Sequence, residues 1–303
     1  MLYELCSQNS IPHKKVGKWI VGQDEKDLEQ LEKIHTISRK IEGTPTRFVS
    51  TDEAERKEPN VRAAYALESP TTGIIDSHAY MQYLLGSFEE RGGDIALNTS
   101  VTGITSLGHN GSSGWEVFTQ DGATGEKSSI TTSTIINSAG LAACRISNMI
   151  LPPARHHTPY YAKGNYFSYS ASSPKTSRLI YPVPTPGLGG LGTHLTLDLS
   201  GRIRFGPDVE WVDDPSDVSV NASRLPQALE EIRKYLPGVK MDAVQPDYAG
   251  IRPKLTAKGG GFVDFVIEKE DGFEGFVNLL AIESPGLTAS LAIAEMVEAL
   301  LYR

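Results

Sequence analysis

The chain has 303 residues, of which 39% are apolar and 22% charged, and a formal net charge of −8. That is an ordinary globular composition at a length that allows about two domains with a sizeable core. The acidic balance and the lack of any basic run argue against a nucleic-acid binder, and no apolar run approaches the roughly 18 residues of a bilayer span. Two cysteines, Cys6 and Cys144, make neither a disulfide framework nor a metal set, so a reducing compartment is the default.

The first residues, MLYELCSQNSIPHKK, read as neither a signal nor a transit peptide. They look like the tail of a helix, with Leu2, Leu5 and Cys6 on one side, as if the chain began partway through a domain. Residues 24–42 form a charged amphipathic helix, expected to turn Leu28, Leu31, Ile34 (or His35), Ile37 and Ile41 inward and to stop at Gly43. A short helix over 51–58 and a short strand over 63–67 follow. Ile74-Ile75 ends a strand, and Asp76 or Ser77 caps a helix through Glu90 with Tyr80, Leu84 and Phe88 inward. IALNTSVTGI supplies strand residues, Asp121-Gly122 turns a hairpin, and Thr134–Asn137 reads as a buried strand that runs into small residues.

From 159 the texture becomes β-rich, in YYAKGNYFSYS, SRLIYPVP, THLTLDL and GRIRFGP. Residues 223–236 return to helix before Pro237; DYAGIRPKL, a glycine run at 259–261 and the strand DFVIEKE come next. In LAIESPGLTASLAIAEMVEALL (280–301) a strand stops at Ser284-Pro285-Gly286. Ser284 can cap the helix that follows, with Leu287, Leu291, Ala294, Val297 and Leu301 at helical spacing. A glycine at a positive helix end admits a close, negatively charged ligand.

Several motifs carry less than their letters promise. Gly187–Gly192 matches G-x-G-x-x-G, but an alternating hairpin follows it, not a helix, so it reads as a flexible loop. His156-His157 has no partner cluster for a metal, no G-x-S-x-G elbow is present, and the sequons at Asn98, Asn110 and Asn221 are at chance level. Two positions carry more. On the strand around 194, Thr193, Leu195, Leu197 and Leu199 share one side, leaving His194 with Thr196 and Asp198 on a more polar side. In YAGIRPK, glycine before and proline after hold Arg252 and Lys254 extended on one side, where a guanidinium fork can bind a carboxylate.

With these residues the chain resembles the FAD-dependent oxidoreductases of the D-amino-acid-oxidase-like class, most closely their L-2-hydroxyglutarate dehydrogenase branch. The likeness rests on GIIDSHAYM (73–81), IINSAGLAA (135–143), KGNYF (163–167), LIYPVP (179–184), LGTHLTLD (191–198), RFGPD (204–208), YAGIRPK (248–254) and NLLAIESPGLTASLAIAE (278–295), in the family's order over essentially the whole chain. It implies FAD as cofactor, with Pro285, Gly286, Leu287 and Thr288 at the flavin ring, Ser138, Ala139 and Gly140 as the small-residue turn beside it, and Val101 near the adenine. It also implies that His194 and Arg252 are catalytic, with Lys163, Tyr166, Tyr181 and Lys254 as substrate neighbours. Arg252 would clamp the C1 carboxylate. His194 would take the hydroxyl proton while hydride leaves C2, and Lys254 or Lys163 would hold a distal carboxylate.

The fold implied is α/β (α+β): an incomplete Rossmann-like FAD-binding domain with an inserted mixed or antiparallel β-sheet substrate domain. Residues 1–158 open the FAD-binding domain and lend a part near 44–70 to the substrate domain; 159–275 are mainly that sheet domain, and 276–303 return to the first. Family members open with a strand, a glycine turn and a helix that hold the pyrophosphate, and this sequence matches the family from a point past those parts. The leading expectation is oxidation of L-2-hydroxyglutarate to 2-oxoglutarate. A family member without FAD, serving as a binding or structural protein, and an FAD-dependent amine or amino-acid oxidase are the alternatives. The partners implied are a small 2-hydroxy acid and an unnamed electron acceptor, with no nucleic acid and no transmembrane segment. The location implied is mitochondrial, otherwise cytoplasmic.

Overall fold

The computed structural model describes residues 1–184, 192–261 and 263–303. Helix α1 (Leu2–Gln8) opens the chain and packs Leu2, Leu5 and the buried Cys6 against Ile11 and Tyr80. Strand β1 (His13–Lys14) and β2 (Lys18–Gly22) precede α2 (Glu25–Ser38), whose N-terminus Asp24 caps by accepting from the Asp27 N–H. Then come β3 (Arg47–Val49), α3 (Thr51–Lys57), β4 (Tyr65–Ser69), β5 (Ile74–Ile75) and α4 (Ser77–Glu89), the last capped by Asp76 on the Ala79 N–H.

The predicted inward faces of α2 and α4 are only half used. Leu31 and Tyr80 are 0% and 1% exposed, whereas Ile37 is 58%, Ile41 53% and Phe88 49% exposed. Helix α2 ends at Ser38, short of the Gly43 stop, and it meets β2 and β4 through Leu31 and Ile34. Past Ile34 the helix meets only the edge strand β3 among the described residues, through His35 and Phe48, so periodicity alone overstated the buried stripe.

Strands β6 (Thr99–Ser106), β7 (Trp115–Asp121) and β8 (Lys127–Thr132) form an antiparallel sheet in that order. Next are β9 (Ile135–Asn137), α5 (Ala143–Ile150), β10 (Tyr160–Tyr169), β11 (Leu179–Pro182), β12 (Leu195–Leu197), β13 (Ile203–Phe205) and β14 (Glu210–Val212). Helix α6 (Leu225–Tyr235), β15 (Val244–Lys254), β16 (Val266–Lys269), β17 (Phe276–Leu280) and α7 (Gly286–Tyr302) complete the chain.

The largest sheet has nine strands. Strand β10 pairs β15 on one edge and both β13 and β14 on the other, and the sheet continues through β12, β11, β2 and β4 to β3. Only the β2–β11 pair is parallel among these, because β2 arrives from a distant part of the chain rather than through a hairpin. One face of this sheet is the main core: Trp19, Ile180, Leu195 and Phe205, all 0% exposed, pack with Ile232 and Tyr235 of α6. At the β2–β4 end the opposite face is covered by α2. Gly164 is required by packing, since a Cβ there would lie 2.5 Å from the Pro207 ring.

A smaller sheet, β16–β17–β9, joins β17 and β9 in parallel. Strand β17 is buried on both faces, with Val277 and Leu279 toward α7 and Phe276 toward Trp115, and its one polar residue, Asn278, is buried with them. Strand β9 differs from its reading as a buried strand, since Ile136 is 47% exposed. Among the described residues no helix is long and apolar enough to cross a membrane.

Candidate active site

Strand register gathers the site on the face of the large sheet that α6 does not cover. Pairing of β10 with β15 sets Ala162 opposite Arg252 and Tyr160 opposite Lys254, so Tyr248, Gly250, Arg252 and Lys254 share one side of β15. Tyr166 joins them by stacking on Tyr248, ring centres 4.4 Å apart at 10°. Pro253 has no N–H to contribute to pairing, which β15 tolerates as the edge strand.

Across the sheet, Tyr181 of β11 stacks on His194, just before β12, at 3.5 Å and 12°. The alternation predicted around His194 holds: Leu195 and Leu197 are buried in the core while Thr196 faces away. His194 itself is 5% exposed. Its carbonyl accepts the Gly206 N–H at 2.9 Å.

The two aromatic pairs adjoin the cations. Burial pushes the Tyr181 phenol up to about 12; the nearby Tyr166 adds to this and Arg252 opposes it. The Tyr248 phenol is likewise at about 12, chiefly through burial and secondly through Tyr166. Both phenols therefore keep their protons near neutrality and can donate hydrogen bonds.

Glu283, after β17, forms a close ion pair with Lys254 and lies 3.9 Å from the Arg252 guanidinium. Arg252 makes no hydrogen bond among the described residues, although its side chain is only 22% exposed. Arg204, stacked 5.0 Å over Tyr248, donates to Asp247 at 2.5 Å. A further cation, Lys18 of β2, stands 4.9 Å over the Tyr181 ring.

Lys163, expected beside the substrate, does not join this group. It alternates with Ala162 on β10 and so falls on the α6 side of the sheet, 3% exposed, with its amine 3.0 Å from Asp217 and 3.9 Å from Glu210. That ion pair helps hold the Asp217 carboxyl down to about 2, after the larger effect of the Ser219 hydroxyl.

The residues expected at the cofactor lie together at one end of the smaller sheet. Asn137 of β9 donates to the Asn278 side chain at 2.8 Å, and Asn278 donates to Ser147 at 3.0 Å and to Glu270. This buried network anchors the turn Ser138-Ala139-Gly140, which is exposed and has Gly140 at φ +56° with open space where a Cβ would stand.

Facing the turn is the start of α7. Pro285 rather than Ser284 takes the cap position, without a side-chain cap. The Gly286 N–H returns to the Glu283 carbonyl, so it has a partner within the fold. The Leu287 and Thr288 N–H groups have no main-chain acceptor among the described residues, and both residues are exposed. A cavity of about 540 Å³, mostly apolar, starts at Ser138, Gly140 and Gly286 and runs along α7 past Ile293 and Val297 to Leu301.

A small-residue turn, two spare N–H donors and an apolar recess fit the flavin end of FAD. For the pyrophosphate, no G-x-G-x-x-G turn between a strand and a helix occurs among the described residues. The hexamer Gly187–Gly192 lies outside them except for Gly192, which leads toward β12 and not into a helix. Val101 sits on β6 beside a bulge at Val101/Gly103, partly exposed.

Sequence reasoning passed over Lys18, Tyr248 and Glu283. A lysine inside the apolar run VGKWIVG was the available signal for Lys18. For Glu283 it was an acid between a strand end and a helix start.

The profile of the family described as FAD dependent oxidoreductase matches residues 1–300. The chain is 35% identical to a mitochondrial L-2-hydroxyglutarate dehydrogenase of Arabidopsis thaliana, over 97% of this chain and 68% of that protein. It is 25% identical to a glycerol 3-phosphate dehydrogenase of Caloramator mitchellensis, over 97% of this chain and 58% of that one. The chain thus spans roughly six- to seven-tenths of the length of these relatives. Its fold matches a dithionite-reduced L-α-glycerophosphate oxidase from Mycoplasma pneumoniae with FAD bound, with a TM-score of 0.82 at 23% identity, covering 97% of this chain and 74% of that one.

Proposed function

Because the chain belongs to the FAD-dependent oxidoreductase family, we propose that it oxidises a small 2-hydroxy acid, L-2-hydroxyglutarate, to 2-oxoglutarate. The observation that carries this reading is the Arg252 guanidinium, largely shielded from water yet with no hydrogen bond among the described residues. A planar fork with spare donors binds a carboxylate through two parallel charge-assisted hydrogen bonds. In this reading Arg252 takes the C1 carboxylate and so directs C2 toward the start of α7.

The Tyr181 phenol, protonated at neutral pH, donates to the acid and keeps the hydroxyl in register. His194, held flat by its stack on Tyr181, accepts the hydroxyl proton. Bound FAD supplies the acceptor for the hydride that leaves C2. Ser138, Ala139 and Gly140 would leave room for the ring, and the Leu287 and Thr288 N–H groups, at the positive end of α7, would favour negative charge there. The mitochondrial setting named for the Arabidopsis relative extends to this chain as part of the same proposal.

The test is the visible spectrum of the purified chain on adding FAD and then L-2-hydroxyglutarate. A flavin band that bleaches with the acid supports the reading. Bleaching only by an amine or amino acid moves the chain to the amino-acid oxidases, and failure to take up FAD turns it into a cofactor-free binding protein.

A further inference from the structure

Lys18 occupies an unusual position for a lysine. Its neighbours on β2, Trp19 and Val21, are 0% and 2% exposed and belong to the main core. Alternation sends Lys18 and Ile20 to the opposite face, where Ile20 is covered by α2 but Lys18 lies one step farther along, toward Tyr181. The amine stands 4.9 Å from the centre of the same ring that stacks on His194.

Among the described residues Lys18 has neither an ion pair nor a hydrogen bond. The other shielded cations each have an acid: Lys163 has Asp217, Arg178 has Glu58 and Glu68, Arg224 has Asp208, and Lys254 has Glu283. Burial lowers the Lys18 amine below its ordinary lysine value, the expected cost of an ammonium removed from water without a counter-ion. An aromatic face offsets part of that cost, by about 0.5–2 kcal/mol, but leaves the donors unused.

The two lysines expected to hold a distal carboxylate are both occupied. Lys163 is on the other face, and Lys254 is neutralised by Glu283. Arg204 is tied to Asp247. On this face, among the described residues, Arg252 and Lys18 remain as cations without a hydrogen-bonded acid, and both act on Tyr181.

We propose that Lys18 binds the distal carboxylate of a dicarboxylic substrate and so makes the site selective for dicarboxylic over monocarboxylic 2-hydroxy acids. The assignment rests on the reading of Arg252 as the C1 clamp. It concerns binding alone, so products that cannot be turned over serve as probes.

The experiment is calorimetric titration of the FAD-supplemented chain with 2-oxoglutarate and with 2-oxopentanoate, the same chain length with a methyl in place of the distal carboxylate. Wild type is expected to prefer 2-oxoglutarate. Lys18→Met is expected to lower that preference about tenfold or more, because the charge-assisted contact is lost, and Lys18→Arg is expected to keep most of it. An Arg252 variant should weaken both acids together. If wild type binds 2-oxoglutarate and Lys18→Met leaves the ratio of the two affinities unchanged, Lys18 is not the distal anchor although the clamp stands. If wild type binds neither acid, the clamp reading fails and the assignment of Lys18 fails with it. A Lys18→Met chain that does not fold, beside a folded Lys18→Arg chain with wild-type preference, supports the requirement for a cation; loss of the preference in Lys18→Arg overturns it.

Discussion

Replacing Arg252 by Met separates a ligand clamp from a structural ion pair. The substitution keeps an apolar stem along β15 and removes the guanidinium. What the fold loses is an interaction with Glu283 at 3.9 Å between side chains 22% and 14% exposed. Such a long pair, without a hydrogen bond, is worth at most about 1 kcal/mol, and Glu283 keeps Lys254 as its close partner. What a bound carboxylate loses is a bidentate charge-assisted contact, about 1.5–3 kcal/mol. By the tenfold per 1.4 kcal/mol rule, the dissociation constant for 2-oxoglutarate should rise about 10- to 150-fold. Titration calorimetry reads the dissociation constant and urea unfolding reads the loss of stability. An unchanged dissociation constant would refute the clamp. A loss of stability well above about 2 kcal/mol with little change in binding would instead make Arg252 part of the scaffold.

Glu283→Gln removes the negative charge beside the clamp while keeping its shape, so affinity for 2-oxoglutarate should rise about three- to tenfold; weaker binding would mean that Glu283 orients Lys254 for the ligand. Lys18→Met should leave folding stability within about 1 kcal/mol of wild type, on the stabilising side at pH 7. Since burial lowers the folded-state value of Lys18, the unfolded chain holds that proton more readily. The penalty is therefore full at neutral pH and fades as pH rises through the lowered value toward the ordinary 10.4 or so. Urea midpoints that diverge with rising pH would contradict this sign. Phe205→Ala empties a fully buried site and should cost about 3–5 kcal/mol in urea unfolding; a cost under about 1 kcal/mol would show that the sheet–α6 core is loosely packed. Asn278→Ala takes one hydrogen-bond partner each from the Asn137 amide, the Ser147 hydroxyl and the Glu270 carboxylate. It should cost about 2–4 kcal/mol in thermal unfolding, and a near-neutral result would argue that water replaces the amide.

Much of the secondary structure could be read along the chain because its signals are local. Asp24, Ser50 and Asp76 cap their helices where short polar side chains precede apolar spacing, and Gly201 turns the β12–β13 hairpin at positive φ. Period-two alternation likewise separated His194 from Leu195 and Leu197. The same parity argument would have put Lys163 on the core side, had the partner of β10 been known; a strand's two faces are distinguishable in sequence, but which face meets which layer is not.

What the sequence determined by itself was the family, the order of helices and strands, and the sidedness of residues within each strand, since these follow from neighbours a few residues apart. What only the tertiary structure decided was which sides meet. Strand β2, absent from the sequence reading, inserts between β11 and β4 and brings Lys18 over Tyr181, 163 residues later in the chain. The segment after β17 brings Glu283 onto Lys254 and so gives that lysine an acid partner within the fold. Burial on helices α2 and α4 was also decided there, because an apolar stripe is buried only as far as another element lies beneath it. Long-range pairing sets charge compensation, and charge compensation sets which cations are left for a ligand.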